Sequence, residues 1–507
     1  MGVPEEIRRV ERPTNTIVVE NKTDGPHKYA VRERKGMKYV PGGNPQPVNG
    51  KVIGHIFDGR FVPLVEKTAP EGPEELSYGS SALVRRHSKD ILDDLLSTFE
   101  IDDALSIMAA AGVKVIRPGT TYNRISQHHR RTFLSVYFPA SVGRNRMSKL
   151  LEDIGIDAEK RRKFFRLRAG RVLKGHHVLV DGHLKEDHSR VNDLSHYSRN
   201  RRTSKHREVS IIYAYDLEQR EVLAAQVFPG NCLDSQAYRR FLTDNGITKG
   251  ILVADKGFTT AKIRDVLGEY PELSHISPLK RNSDMIKRYG MLDFQGALKG
   301  SDSRILYKKA ERSDGRFLYS FKDLSLVSEQ AEKVVAGMER GRGFDREVFD
   351  AKYAKAGVLI FESDLDVEPE VVYAAYDERW EIELVFDQFN NNLQLGETHV
   401  QGDFSVIGSE FINTIATMVS HRIMNDMRDA GVLDHMTYGD AMEDLSEVWR
   451  RTDAPVDPVS DDGFWTRTFD KDMELMEALG LSEPAPKPLP KKRGRPRKNP
   501  GTNTDAQ

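Results

Sequence analysis

The chain has 507 residues, 76 Lys and Arg against 77 Asp and Glu, and one cysteine, Cys232. At a formal charge of −1, bulk charge draws it to neither nucleic acid nor membrane, so any polyanion must be held by local patches. A lone cysteine excludes an intramolecular disulfide and a multi-cysteine zinc site. The lack of an 18-residue apolar run or an N-terminal signal pattern predicts a cytoplasmic protein.

Residues 1–80 read as a β-containing module, with turn punctuation at Pro41-Gly42-Gly43-Asn44-Pro45 between strand-like runs such as 51–57. Residues 81–170 read as a helical DNA-binding region. Ser88 can cap a helix carrying Ile91, Leu92, Leu95 and Leu96, and a second helix covers 104–111. Between 121 and 180 there are 14 basic residues and four acids. The stretch is densest at Arg161, Arg162 and Lys163 with Arg166, Arg168 and Arg171. Interleaved Phe164 and Phe165 suggest a helix with one anchored and one basic side, suited to phosphate contacts. A solvated helical face is the plainer alternative. The basic segment 199–207 reads as a loop.

Short apolar runs then mark strands that end in acids. His177-Val178-Leu179-Val180 leads into Asp181, and Ile251-Leu252-Val253-Ala254 leads into Asp255, with further strands at 209–215 and 222–228. Either aspartate alone could equally cap a helix or hold a ribose. The region 286–362 alternates apolar and polar residues and reads as a β-rich insertion. Next comes a helix in which Tyr376, Arg379 and Glu383, at i, i+3 and i+7, share one face. Beside them Ile382, Val385, Phe386, Phe389 and Leu393 form a stripe that packs inward. Three carboxylates converging from such elements are what two divalent cations need, since Mg²⁺ prefers oxygen ligands. Asp187 and Asp387 are competing acids. The histidines 176, 177, 183, 188 and 196 surround Asp181 without matching a structural zinc spacing.

Apolar helices follow near 411–416, then a polar helical region to about 480. Residues 484–500 carry seven basic residues, no acid and six prolines, so they form neither helix nor sheet. Within them Arg493-Gly494-Arg495-Pro496 has the form of an AT-hook, in which glycine lets the backbone approach the floor of an A·T minor groove. A solubilising basic tail is the alternative.

The helix resembles the Tyr-(2)-Arg-(3)-Glu-(6)-Lys signature of bacterial insertion-sequence transposases with a DDE triad. Phe228-Pro229-Gly230-Asn231 with Asp234 and Ser235, and Ala254-Asp255-Lys256-Gly257-Phe258, resemble further motifs of that family. The likeness spans roughly residues 90–480. It implies an α/β fold: a ribonuclease H-like mixed sheet flanked by helices, with a β-rich insertion and a mostly helical N-terminal region. The implied partition is 1–80, 81–170, 171–285 and 363–430 for the two parts of the catalytic core, 286–362 for the insertion, 431–480, and a basic tail at 481–507.

The resemblance also implies Asp181, Asp255 and Glu383 as ligands of two Mg²⁺ or Mn²⁺ ions. Tyr376, Arg379 and Asn231 would lie at the DNA. The expected activity is metal-dependent cleavage and transfer of DNA strands by a homodimer on two transposon ends, associated with the nucleoid. A nuclease without strand transfer and a non-catalytic DNA-binding descendant are the alternatives. The chain departs from the family in two places. Asn390 stands where the signature has lysine, for which Lys256 is a candidate substitute, and the insertion has no tryptophan.

Overall fold

The computed structural model describes residues 3–22, 25, 28–39, 44, 46–63, 74–189, 191–197, 207–230, 232, 235–254, 267–299, 304–340, 343–453 and 465–482. The chain divides into two compact units, 1–73 and 74–507. The first is an antiparallel meander of β1 (Thr16–Glu20), β2 (Tyr29–Lys38), β3 (Gln46–Phe57) and β4 (Arg60–Pro63). Its small core is Val18, Val31 and Ile56.

The second unit is built on an 11-stranded mixed sheet. After β5 (Glu75–Ser77), its strands in chain order are β6 (His177–Asp187), β7 (His196–Tyr197), β8 (Arg207–Asp216), β9 (Glu221–Pro229), β10 (Lys249–Ala254) and β11 (Glu272–Pro278). They continue as β12 (Gly296–Ala297), β13 (Ile305–Glu311), β14 (Phe317–Asp323), β15 (Val358–Ser363) and β16 (Glu397–Thr398). The spatial order is β12-β13-β14-β15-β11-β10-β6-β8-β7, with β16 beside β6 and β9 beside β8. Strands β10 and β6, β10 and β11, and β16 and β6 run parallel, and the remaining pairs are antiparallel. Val178, Leu179 and Val180 are all buried, which explains a continuous rather than alternating apolar run in a strand covered on both faces.

The helices that matter here are α1 (Gly79–His87), α2 (Lys89–Leu96), α3 (Ile101–Ile116), α4 (Arg144–Ile156), α5 (Ala158–Ala169) and α6 (Ser235–Asn245). They are followed by α7 (Val327–Glu339), α8 (Arg346–Tyr353), α9 (Pro369–Asp377), α10 (Trp380–Asp387) and α11 (Asp403–Asp429). Helix α11 runs 27 residues with Ile412, Ile415, Val419 and Ile423 buried. Its Phe411 ring meets Phe164, Phe165 and Phe99 at 5.3, 5.5 and 5.6 Å. Residues from 76 to 481 contribute to one large hydrophobic core, and a second cluster of Ile286, Met291, Leu318, Val358 and Ile360 lies within 286–362. Trp449–Arg451 pairs with β5 and closes the C-terminal region back onto the start of the unit. The segment expected as a β-rich insertion supplies β12 to β15, but these extend the main sheet, and α7 and α8 stand between β14 and β15. No helix among the described residues is long and apolar enough to cross a membrane.

Helices α4 and α11 cross at two glycines. A Cβ on Gly155 would lie 1.8 Å from the Phe404 carbonyl oxygen, and one on Gly408 would lie 1.9 Å from that of Leu151. Only glycine permits backbones this close. Gly408→Ala or Gly155→Ala should therefore lower thermal stability by at least about 1–3 kcal/mol, the usual cost of overpacking. Gly337→Ala in α7, where a Cβ meets nothing, should be neutral or stabilise by about 0.5–1 kcal/mol. Differential scanning calorimetry of the three variants checks the contrast.

Candidate active site

The site is laid out by β6. In its parallel pairing with β10, Leu179 faces Val253 and Val180 faces Ala254. Strand β10 is described as far as Ala254, and β6 continues through Asp181 to Asp187 along antiparallel β8, with Asp181 opposite Tyr213. Asp181 therefore does not close a strand, as its sequence suggested. It sits mid-strand, paired with β8, one residue beyond Val180, the last β6 residue paired with the described part of β10. Asp255, next in sequence after Ala254, lies outside the described residues, as do Lys256, Asn231 and the tail residues Arg493, Gly494, Arg495 and Pro496. Within the 228–231 motif, Gly230 is fixed by close approach: a Cβ there would lie 1.8 Å from the Glu208 carbonyl oxygen.

The expected single helix is two. Helix α9 ends at Asp377, and α10 begins at Trp380. At the joint, Arg379 and Ile382 donate to the carbonyls of Tyr376 and Arg379, three residues back, at 3.1 and 3.2 Å. This tight turn shifts the intended helical face, but Arg379 compensates with its reach. Its Nη1 donates to Asp181 Oδ2 at 3.1 Å and its Nη2 to Glu383 Oε1 at 3.4 Å. One guanidinium thus draws together the two described acids, which are far apart in sequence. The Tyr376 ring packs on Phe361 with centroids 4.6 Å apart, and the Arg379 guanidinium lies 5.8 Å from the Tyr376 ring. Ile382, Val385 and Phe389 are buried as the stripe required, and Glu383 is exposed. The carboxylate donors are hard oxygens, a set that suits Mg²⁺ or Mn²⁺.

The rival acids have other partners. Asp187 accepts from the Ser189 N–H and from Asn192 Nδ2, both at 2.8 Å, and so shapes the loop after β6. Asp387 accepts from the Asn391 amide. His176 and His177 pair with Asp216 and Glu218 at 2.8 and 2.6 Å. Two His-carboxylate groups, His176/Asp216/Glu218 and Glu186/His188/Glu397, come within ligand reach among the described residues, and neither contains Asp181 or Glu383. Past α10 the chain winds into a π turn, Gln388–Asn392, a distortion common at functional sites. It aims Asn390 at β6, where His183 Nε2 donates to Asn390 Oδ1 at 3.1 Å. His183 stacks on Phe386 at 5.0 Å. Burial pushes its pKa down to about 4, assisted by Lys185 and opposed by the bond to Asn390.

The basic helix α5 anchors Phe164 and Phe165 as expected, but it directs several of its cations inward. Arg161 donates to the carbonyls of Ile154 and Gly155 at the end of α4. Arg162 bonds Glu159 at 2.6 Å and Asp244 at 3.1 Å. Arg168 is buried against Asp90, Asp94 and Glu221. Lys163 and Arg166 remain exposed, although Lys163 reaches the Ser97 carbonyl at 2.5 Å. Two cations that the sequence reading passed over are buried near the site: Lys185 on β6 and Lys114 in α3. The signal for Lys185 was its spacing, since Asp181, His183 and Lys185 alternate onto one face of a strand. For Lys114 it was a lone charge in the apolar run Ala109-Ala110-Ala111-Gly112-Val113-Lys114-Val115-Ile116.

Residues 173–408 match the model of a family described as "Transposase DDE domain". No curated protein matches the chain.

The neutral His183 has a measurable consequence. A histidine whose folded pKa lies below its unfolded value of 6.5 binds fewer protons when folded. Its contribution therefore makes stability rise with pH between about 4 and 6.5 and stay level above. Selectively ¹⁵N-labelled histidine should show His183 uncharged at pH 6, and Asn390→Asp should move its titration upward. A His183 signal that titrates near 6.5 in the unaltered chain would contradict the buried geometry.

Proposed function

Residues 173–408 match the family model of a transposase DDE domain, and on that footing we propose that the protein binds the ends of an insertion sequence and catalyses metal-dependent cleavage and transfer of DNA strands. Asp181, Asp255 and Glu383 are the proposed ligands of two Mg²⁺ or Mn²⁺ ions. The observation that carries this reading is the guanidinium of Arg379 spanning Asp181 and Glu383. It brings a strand acid and a helix acid to one point, one residue past the described pairing of β6 with β10. Bound there, the ions would supply Lewis acidity and a more acidic water.

The remaining roles belong to the side chains. Asp181 is held on a central strand, and Glu383 is on an exposed turn and free to adjust. Arg379 presents a cation where negative charge builds on the reacting phosphate, and Tyr376 packs beside it. The reaction then rests on positioning water, and afterwards a 3′-hydroxyl, for in-line attack, without a covalent protein intermediate. Exposed cations such as Arg124, Arg130, Arg131 and Lys163 would hold the DNA backbone, and Arg493-Gly494-Arg495-Pro496 the minor groove. Two ends joined in one event call for a homodimer on DNA.

Asp181→Asn, Asp255→Asn and Glu383→Gln should each abolish Mg²⁺-dependent cleavage of a labelled transposon end while retaining binding. Arg379→Ala should slow cleavage on the order of a hundredfold. Products resolved on a denaturing gel decide the matter. Near-wild-type cleavage by all three acid variants would overturn the triad, and cleaved ends that never join a target plasmid would leave a nuclease.

Deleting residues 484–507 should weaken binding more for A·T-rich than for G·C-rich duplexes and make the salt dependence shallower. Gly494→Leu should remove the A·T preference with charge intact. Unchanged preference in that variant would reduce the tail to a charged tether.

A further inference from the structure

Beneath the π turn lies a cavity of about 710 Å³, a size that accommodates a small polar ligand or part of a nucleotide. Lys114, Lys185, Tyr122, Asn390, Thr398 and Asn413 line it. Lys185 is 1% exposed and its Nζ bonds Glu410 Oε1 at 2.7 Å. That pair straps β6 to α11 and needs no ligand. Lys114 has no such explanation. It is 5% exposed, donates to the Thr120 carbonyl at 3.3 Å and stands 4.3 Å from the Tyr122 ring centre. Two buried ammonium groups face a single buried carboxylate, and the other oxygen of that carboxylate, Glu410 Oε2, has no partner. Thr398, also in the lining, is 2% exposed, and its buried hydroxyl has no hydrogen-bond partner. A buried charge without its own counterion is costly, and such an arrangement is retained where an anion repays it.

The location adds direction. Lys185 lies four residues beyond Asp181 on the same face of β6, about 13 Å along the strand. That is about four phosphate steps along one strand of B-form DNA. Glu397 and His399 form part of the rim. A neighbouring groove shares Gly119, Thr120, Thr121, Asn123 and Gln394 with the cavity and carries Arg117, Arg124 and His128. We propose that this cavity is a subsite for a backbone phosphate of the DNA strand, received by the ammonium groups of Lys114 and Lys185 with the Thr398 hydroxyl. The assignment rests on the transposase reading for the source of the phosphate. The cations and the cavity do not depend on it.

Burial pushes the Lys114 pKa down to about 7, with Lys185 acting in the same direction and Glu410 against it. Tyr122 faces it as a neutral phenol whose pKa burial raises. At pH 8 an arriving phosphate should therefore be accompanied by proton uptake. The test is calorimetric titration of the full chain at pH 8 in two buffers of different ionisation enthalpy, with a tetranucleotide and with inorganic phosphate as probes. We expect the tetranucleotide to bind with proton uptake. Lys114→Met should eliminate the uptake and weaken binding on the order of tenfold, while raising the melting temperature because folding no longer has to bury an amine that the unfolded chain holds protonated. Asp181→Asn should keep the uptake and lose only cleavage, so failure of the triad and failure of the subsite give different results. Unchanged uptake in Lys114→Met, or a lowered melting temperature marking Lys114 as structural, would overturn the proposal. Inorganic phosphate binding as tightly as the tetranucleotide would overturn the strand assignment.

Discussion

The parallel pairing of β6 with β10 is the constraint on which the rest of the arrangement depends. Parallel strands leave a sheet in the same direction, so their carboxyl ends open onto one edge where no ladder bonds are left to make. Here the described pairing of β10 with β6 reaches Ala254, and β6 runs on, held by β8. A carboxylate on β6 just past that point is rigid in the backbone because the β8 ladder holds it. The helix that brings Glu383 is pinned over the same strand by Ile382, Val385 and Phe389. The meeting of the two acids is thus set by packing before any charge interaction is counted.

Charge then refines what packing has fixed. Arg379 spans Asp181 and Glu383; the arm to the exposed Glu383 contributes little to stability, whereas Arg379 and Asp181 are partly buried. Elsewhere some of the ion pairs are largely buried and structural. Arg168 and Arg422 converge on Asp90 and Glu221 and join α2, α5, β9 and α11. Burial would raise the Asp90 carboxyl pKa, but the bonds and charges of Arg422 and Arg168 hold it well below the usual carboxylate range. That pull stabilises the fold at neutral pH and is lost only in strong acid. A protein with balanced formal charge therefore has two populations of arginine, one holding its helices together and one facing solvent.

The strands of the core and the buried stripe of the Glu383 helix were readable because hydrophobic periodicity reports burial directly. Helix α3 at 101–116 extends beyond the expected 104–111 because Asp102 and Asp103 open it with charge and Gly112 with the β-branched Val113, Val115 and Ile116 close it with weak helix formers. The two-part helix was not readable. Residues 376–383 have good helical spacing, and the joint comes from packing on Phe361 and β6 rather than from a proline or glycine. The π turn has the same origin, since Gln388-Phe389-Asn390-Asn391-Asn392 contains no local signal for it.

Sequence by itself determined the strand core, placed Arg379 and Glu383 at helical spacing, and carried the resemblance on which the proposed function rests. These follow from local period and residue type, which a linear chain records. Tertiary structure alone decided that Asp181 lies within a strand and that the basic helix directs Arg161, Arg162 and Arg168 inward. It alone brought Lys114 and Lys185, from a helix and a strand far apart in sequence, to one cavity. The physical reason is that a charge reads the same in sequence whether it faces water or a buried carboxylate. Only the packing of the elements around it fixes its solvation, and solvation decides whether it holds the fold together or waits for a ligand.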